Sequence, residues 1–121
     1  MQSTEAAIES EIQAKGLTAP RLTPELIDAA IKHRQYHTFE GSCMTVCCLT
    51  LTNGFTVVGE SACASPANFN EEIGRKIAFD RAREKIWALE GYRLKEALYR
   101  QEYVKSALRS SGTNAGDSHA R

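Results

Sequence analysis

Between residues 71 and 94 the apolar residues fall at helical spacing, and this one feature constrains the chain more than any other. Ile73, Ile77, Ala78, Ala82, Ile86 and Leu89 form a stripe of about five turns, with Phe79 and Trp87 widening it. A helix this long with one apolar face needs a partner surface of comparable length. The loop that leads into it, Ser65-Pro66-Ala67-Asn68-Phe69-Asn70, offers Ser65-Pro66 as the cap of a first turn and Asn70 as the cap of a second, with acidic Glu71 and Glu72 following. Gly91 weakens the helix interior by roughly 1 kcal/mol relative to Ala, so the continuation over Tyr92 to Leu108 either bends there or packs closely against something.

The partner surface is a sheet. Residues 35–63 switch from helical periodicity to β-branched and aromatic runs broken by turn dipeptides. Asn53-Gly54 between LTLT and FTVV reads as a two-residue type I′ hairpin, which sets Thr52 opposite Phe55, Thr50 opposite Val57 and Cys48 opposite Gly59, with Cys47 facing Glu60. A second turn at Gly41-Ser42 pairs Phe39 with Met44 and His37 with Val46. Upstream, Thr23-Pro24-Glu25 is an N-cap, a proline at the first helical position and an early acid, starting a helix from Pro24 to about Arg34 whose apolar face is Ile27, Ala30 and Ile31, flanked by Leu26. Residues 4–15 form a weak helix with only Ile8 and Ile12 on its stripe, and Gly16 stops it.

The expected fold class is therefore α+β: a three-stranded antiparallel meander over about 35–63, preceded by short helices and covered by one long C-terminal helix over about 70–106. Residues 1–22 are an N-terminal helix and arm, 23–108 one domain, and 109–121 a polar, disordered tail. At 121 residues and 42% hydrophobic content there is material for one modest core. Three strands under one helix leave a sheet face uncovered, which calls for a dimer to complete the core.

Fifteen basic and fifteen acidic side chains cancel. No overall field draws the chain to nucleic acid or to an anionic membrane, so neither is expected as a partner. The N-terminus lacks the basic-then-apolar layout of a signal peptide, and the expected location is a cytoplasm. Cys43, Cys47, Cys48 and Cys63 sit in apolar, strand-like company, as reduced and buried thiols do. Cys47 and Cys48 point to opposite sheet faces, and Cys43 lies about 13 Å from Cys47 along a strand, so no metal site is expected. His33, His37 and His119 show no catalytic partner, and no carboxylate pair is evident; the chain reads as no enzyme, with no cofactor.

Charge is concentrated after the loop, where Arg75, Lys76, Arg81, Arg83 and Lys85 put five cations into eleven positions. Pairs such as Glu71 with Arg75 and Glu72 with Lys76 would make this an ordinary solvated face. The loop offers another use. Phe69 between two amides at a helix N-terminus supplies a ring for stacking a base, groups for reading its edge, and free N–H donors that favour phosphate.

The block ASPANFNEEIGRKIAFDRAREKIWALEGYRL (residues 64–94), with TPELIDAAI upstream, resembles a family of small tailed-phage proteins that includes the phage anti-Thoeris proteins of type one. The resemblance covers about residues 23–98. It implies a sponge that binds cyclic ADP-ribose isomers, the signals of Thoeris-type immunity, without cleaving them, in the cytoplasm of an infected bacterial host. It further implies a homo-oligomer, a dimer or a trimer of dimers, and a second class of site for cyclic oligonucleotides. Carried onto matching positions, it places Asn68, Phe69 and Asn70 at the base-and-ribose end of the ligand and Arg75 and Arg83 near phosphates. Arg93 is a further candidate, and Arg21 on the arm one that reaches a neighbour's pocket. The rival functions are a nucleic-acid binder and an inhibitor that docks directly on a host or defence protein.

Overall fold

The computed structural model describes residues 3–17 and 19–111. Two short helices, α1 (Ser3–Ala14) and α2 (Pro24–Ala29), precede strands β1 (Ile31–Thr38), β2 (Thr45–Leu51) and β3 (Thr56–Ser61). A 3-10 turn, Pro66–Asn68, then leads into α3 (Glu71–Ser111). The strands form an antiparallel sheet in the order β1-β2-β3, so the α+β meander covered by a long C-terminal helix is the observed fold. The tail beyond Ser111 lies outside the described residues.

The central strand explains why α2 ends well short of Arg34. β2 alternates buried and half-buried residues, so its backbone needs partners along both edges. Residues 31–34 supply them: Ile31 pairs with Leu51, the Thr52 N–H donates to the Ala30 carbonyl (3.0 Å), and a bulge between Ile31 and His33 adjusts the ladder. Thr23 caps α2 as expected, accepting from the Leu26 N–H at 3.2 Å, and Ile27 is fully buried. The pairing of His37 with Val46 is also found.

The hairpin register differs from the expectation by one residue. Leu49 lies opposite Val57, Cys48 opposite Val58, Cys47 opposite Gly59 and Val46 opposite Glu60. Directly opposed residues share a face, and a one-residue slip would exchange core and solvent sides. The observed register keeps Cys47, Leu49 and Val57 together in the core. A three-residue loop achieves it: the Gly54 N–H donates to the Leu51 carbonyl (2.9 Å), the Leu51 N–H to the Phe55 carbonyl (2.7 Å), and Gly54 takes φ 92°. The Asn53 side chain accepts from the Phe55 N–H at 3.0 Å.

The core face of α3 is also rotated from the expected stripe. Gly74, Ala78, Ala82 and Ile86 face the sheet and are buried, whereas Ile73, Ile77 and Leu89 remain exposed. The seam uses the smallest side chains because the helix backbone rests on the strand backbone at Gly59. A Cβ there would collide with the Ala78 carbonyl oxygen and the Ala82 nitrogen. Ile27, Leu49, Leu51, Val57 and Ile86 complete the core, each large aliphatic contributing about 1.5–3 kcal/mol on burial. Gly91 leaves α3 unbroken; an added Cβ would make only an ordinary 3.9 Å contact with Leu22.

Candidate functional site

The seven residues singled out in the sequence separate into four places. Asn68, Phe69 and Asn70 stay together at the entry to α3. The 3-10 turn is closed by the Asn68 N–H to the Ser65 carbonyl (2.9 Å) and the Phe69 N–H to the Pro66 carbonyl (3.1 Å). Asn70 caps α3, its side chain accepting from the Ile73 N–H at 3.0 Å and its carbonyl from the Gly74 N–H at 2.9 Å. Asn68 is exposed and Phe69 half-buried, its ring edge turned towards Gly74. A cleft of about 80 Å³ runs between this loop, Cys43, Cys63, Ile73 and Ile77. It holds no more than a small group, so a nucleotide there would lie across the surface.

Arg75 is one turn into the helix, beside the loop. Glu71 pairs with it at 3.0 Å, and its guanidinium lies 6.0 Å from the centre of the Tyr36 ring. Two residues along β1 on the same face, Arg34 stacks over Phe79 at 4.5 Å. Arg34, Tyr36, Arg75 and Phe79 therefore form one patch of two guanidiniums and two rings between the inner face of β1 and the side of α3. It exists because α3 packs mainly on β2 and β3, leaving most of β1 exposed. Tyr36 is held above the ordinary phenol range, chiefly by partial burial, and so stays neutral at physiological pH. Sequence reasoning missed Arg34, Tyr36 and Phe79 as site residues; the available signal was the alternation of Arg34 and Tyr36 on one face of a strand.

Arg83 is placed elsewhere and is occupied. It donates to Asp28 and Glu5, each at 2.8 Å, and to the Pro24 carbonyl at 3.2 Å, while the Trp87 indole N–H donates to Glu5 at 3.1 Å. Burial works against its charge, but the bonds it donates to Glu5 and Asp28 outweigh that and hold its pKa above the ordinary value. Its position along α3 is about 12 Å from Arg75 at 1.5 Å per residue. The large cleft it lines, about 760 Å³ between α1 and α3, also carries Glu5, Glu9, Asp80 and Glu84. Four carboxylates against one guanidinium make a poor phosphate site.

Arg21 likewise serves its own subunit, gripping Glu9 through two bonds of 2.8 and 2.9 Å. That grip, helped by Gln13, lowers the Glu9 carboxyl to about 2. Arg93 pairs with Glu90 at 3.2 Å and lines a separate cleft with Phe55 and Tyr92 near the hairpin tip, about 27 Å along α3 from Arg75. The structure thus unites Asn68, Phe69, Asn70 and Arg75, and leaves Arg83, Arg93 and Arg21 apart from them.

Cys47 is buried, while Cys43, Cys48 and Cys63 are only partly so, and all four thiols are free. Among the described residues no group of three or more His, Cys, Asp or Glu is arranged to hold a metal ion, and no helix is long and apolar enough to cross a membrane.

Residues 22–98 match the sequence model of the Phage protein (N4 Gp49/phage Sf6 gene 66) family. The chain belongs to this family. The match spans the arm's end, α2, the whole sheet, the loop and α3 as far as Leu98, so the loop and the two-arginine patch both lie on the part of the chain that defines the phage family. No curated protein and no solved structure matches the chain.

Proposed function

We propose that this phage protein binds and sequesters cyclic ADP-ribose-type signalling nucleotides, without cleaving them, and so blocks Thoeris-type immunity in the cytoplasm of an infected bacterium. The observation that carries the reading is the surface around the first two turns of α3. There an aromatic between two amides, Asn68-Phe69-Asn70, adjoins a patch in which Arg75 and Arg34 lie against Tyr36 and Phe79. A cyclic ADP-ribose-type ligand presents a flat base and a diphosphate. Rings stack on the first, and planar guanidiniums meet the second with paired donors. The patch is open, which suits a site closed by a second subunit.

A homo-oligomer supports such closure. α3 is 41 residues long, about 60 Å, while β1 at eight residues spans only about 27 Å. Past Ile86 the helix runs along the hairpin tip and then beyond it, exposing Tyr92, Tyr99, Tyr103 and Val104. Leu89, Tyr92, Tyr99 and Tyr103 fall on one face, as a helix-pairing stripe does. The same tyrosines favour a second reading, direct docking on a host or defence protein, since exposed aromatics on a projecting helix are suited to protein contact.

The test is to incubate the purified protein with cyclic ADP-ribose isomers and cyclic trinucleotides, remove unbound ligand, heat-denature, and analyse what is released. Intact nucleotide recovered after denaturation is the expected result. A linear product would make the protein an enzyme, and recovery of nothing from any nucleotide would sink the sponge and leave the docking reading.

A further inference from the structure

Two thiols twenty residues apart in the chain meet at one corner of the sheet. The β2–β3 ladder ends with Thr45 opposite Ser61. Continued two residues past the strand ends, the same register would set Cys43 opposite Cys63, on the face of Thr45 and Cys47. Opposed positions of an antiparallel pair hold their Cα atoms about 4.5–5.5 Å apart, within the span of a disulfide. The side chains agree with this, since both thiols line the same small cleft under the α3 entry and lie close enough for Cys43 to influence the charge of Cys63. Both are partly exposed, in contrast to Cys47. The Cys63 thiol also donates to the Ser65 carbonyl at 3.4 Å, which joins the pair to the start of the loop.

We propose that Cys43 and Cys63 form an oxidation site, a cross-strand dithiol that reacts with low-molecular-weight disulfides to close an intramolecular bridge at the base of the 64–70 loop. One thiolate attacks a sulfur of the small disulfide, forming a mixed disulfide and expelling one small thiolate. The second cysteine's thiolate then attacks the protein-side sulfur and expels the other. The sum is protein dithiol plus small disulfide giving protein disulfide plus two small thiols, with two electrons and two protons passing to the small disulfide. Burial pushes the Cys63 thiol up, so closure runs faster in mildly alkaline solution. The remaining cysteines have no such geometry, because Cys47 and Cys48 are adjacent and point to opposite faces. The bridge ties the start of β2 to the end of β3 and fixes the chain one residue before Ala64. It stands independently of any ligand.

The test treats the full-length native protein with oxidised glutathione, followed by thiol counting, intact mass and peptide mapping. Two of the four cysteines should lose their thiols in a monomeric chain, with a Cys43–Cys63 cross-linked peptide. That peptide should vanish in Cys43→Ser and in Cys63→Ser and persist in Cys48→Ser. The oxidised protein should melt several degrees higher, and amide exchange over residues 63–70 should slow. Glutathione adducts that persist at Cys43 or Cys63 without the bridge, a bridge through Cys47 or Cys48, cross-links between chains, or no reaction would each overturn the proposal. The wild-type peptide map decides the matter even if a serine variant fails to fold.

Discussion

At Gly59 a single missing Cβ lets the helix backbone sit on the strand backbone, and the small seam of Gly74, Ala78 and Ala82 answers it from the other side. Gly59→Ala has no room, since the atoms it meets are backbone and cannot rotate away. It should lower stability by about 2–3 kcal/mol or more, read as a fall in denaturant midpoint at unchanged slope. Thr45 presents the opposite case. It is fully buried beneath Gly74, and among the described residues its hydroxyl finds no hydrogen-bond partner. Thr45→Val keeps the shape and removes the unsatisfied oxygen, so stability should rise by about 1 kcal/mol; a loss of that size would mean the hydroxyl has a partner in solution. Neither residue stood out in the sequence. A glycine in a strand and a threonine in a β run look ordinary until the helix that lies over them is placed.

The elements themselves were more legible. Helical spacing gave α3, the Thr23-Pro24 signal gave the start of α2, and the β-branched runs gave three strands in meander order. The misses came where local rules yield to burial. Asn-Gly favours a two-residue turn, yet the apolar parity of Cys47, Leu49 and Val57 selects the three-residue loop. Ile73 and Ile77 look like core at helical spacing, yet smaller neighbours win the sheet-facing side. The cations of α3 looked alike in sequence, but tertiary partners divide them: Arg81 donates to the Glu60 carbonyl and Lys85 to that of Val58, Arg83 joins α1 and α2, and Arg75 meets Tyr36.

α1 is the least hydrophobic attachment, with Ile8 exposed and polar bonds through Glu5 and Glu9 holding it to the body. Its attachment should therefore be pH-sensitive. The folded-state carboxyl of Glu9 lies near 2 against an ordinary 4.5, so its contribution is full above 4.5 and is lost as pH falls towards 2. Melting temperatures of wild type and Glu9→Gln should differ at neutral pH and converge across that acid window. A constant difference down to the lowest pH would show that the Arg21 grip is not what holds the arm.

For the whole molecule, a helix of about 60 Å on a sheet less than half as long leaves a projecting half with an aromatic stripe. If that stripe pairs subunits, Tyr99→Glu with Tyr103→Glu should shift the protein to monomer in analytical ultracentrifugation while leaving its circular dichroism unchanged. An unaltered sedimentation coefficient would assign the stripe to another partner. The central claim concerns the other end of the helix, where the loop and the patch adjoin. Calorimetric titration of a cyclic ADP-ribose isomer into wild type, Arg75→Ala and Arg93→Ala tests it most directly. Wild type should bind, Arg75→Ala should lose about 10- to 100-fold in affinity from one charged contact, and Arg93→Ala should be unchanged. Wild-type affinity retained in Arg75→Ala, or lost only in Arg93→Ala, would contradict the claim.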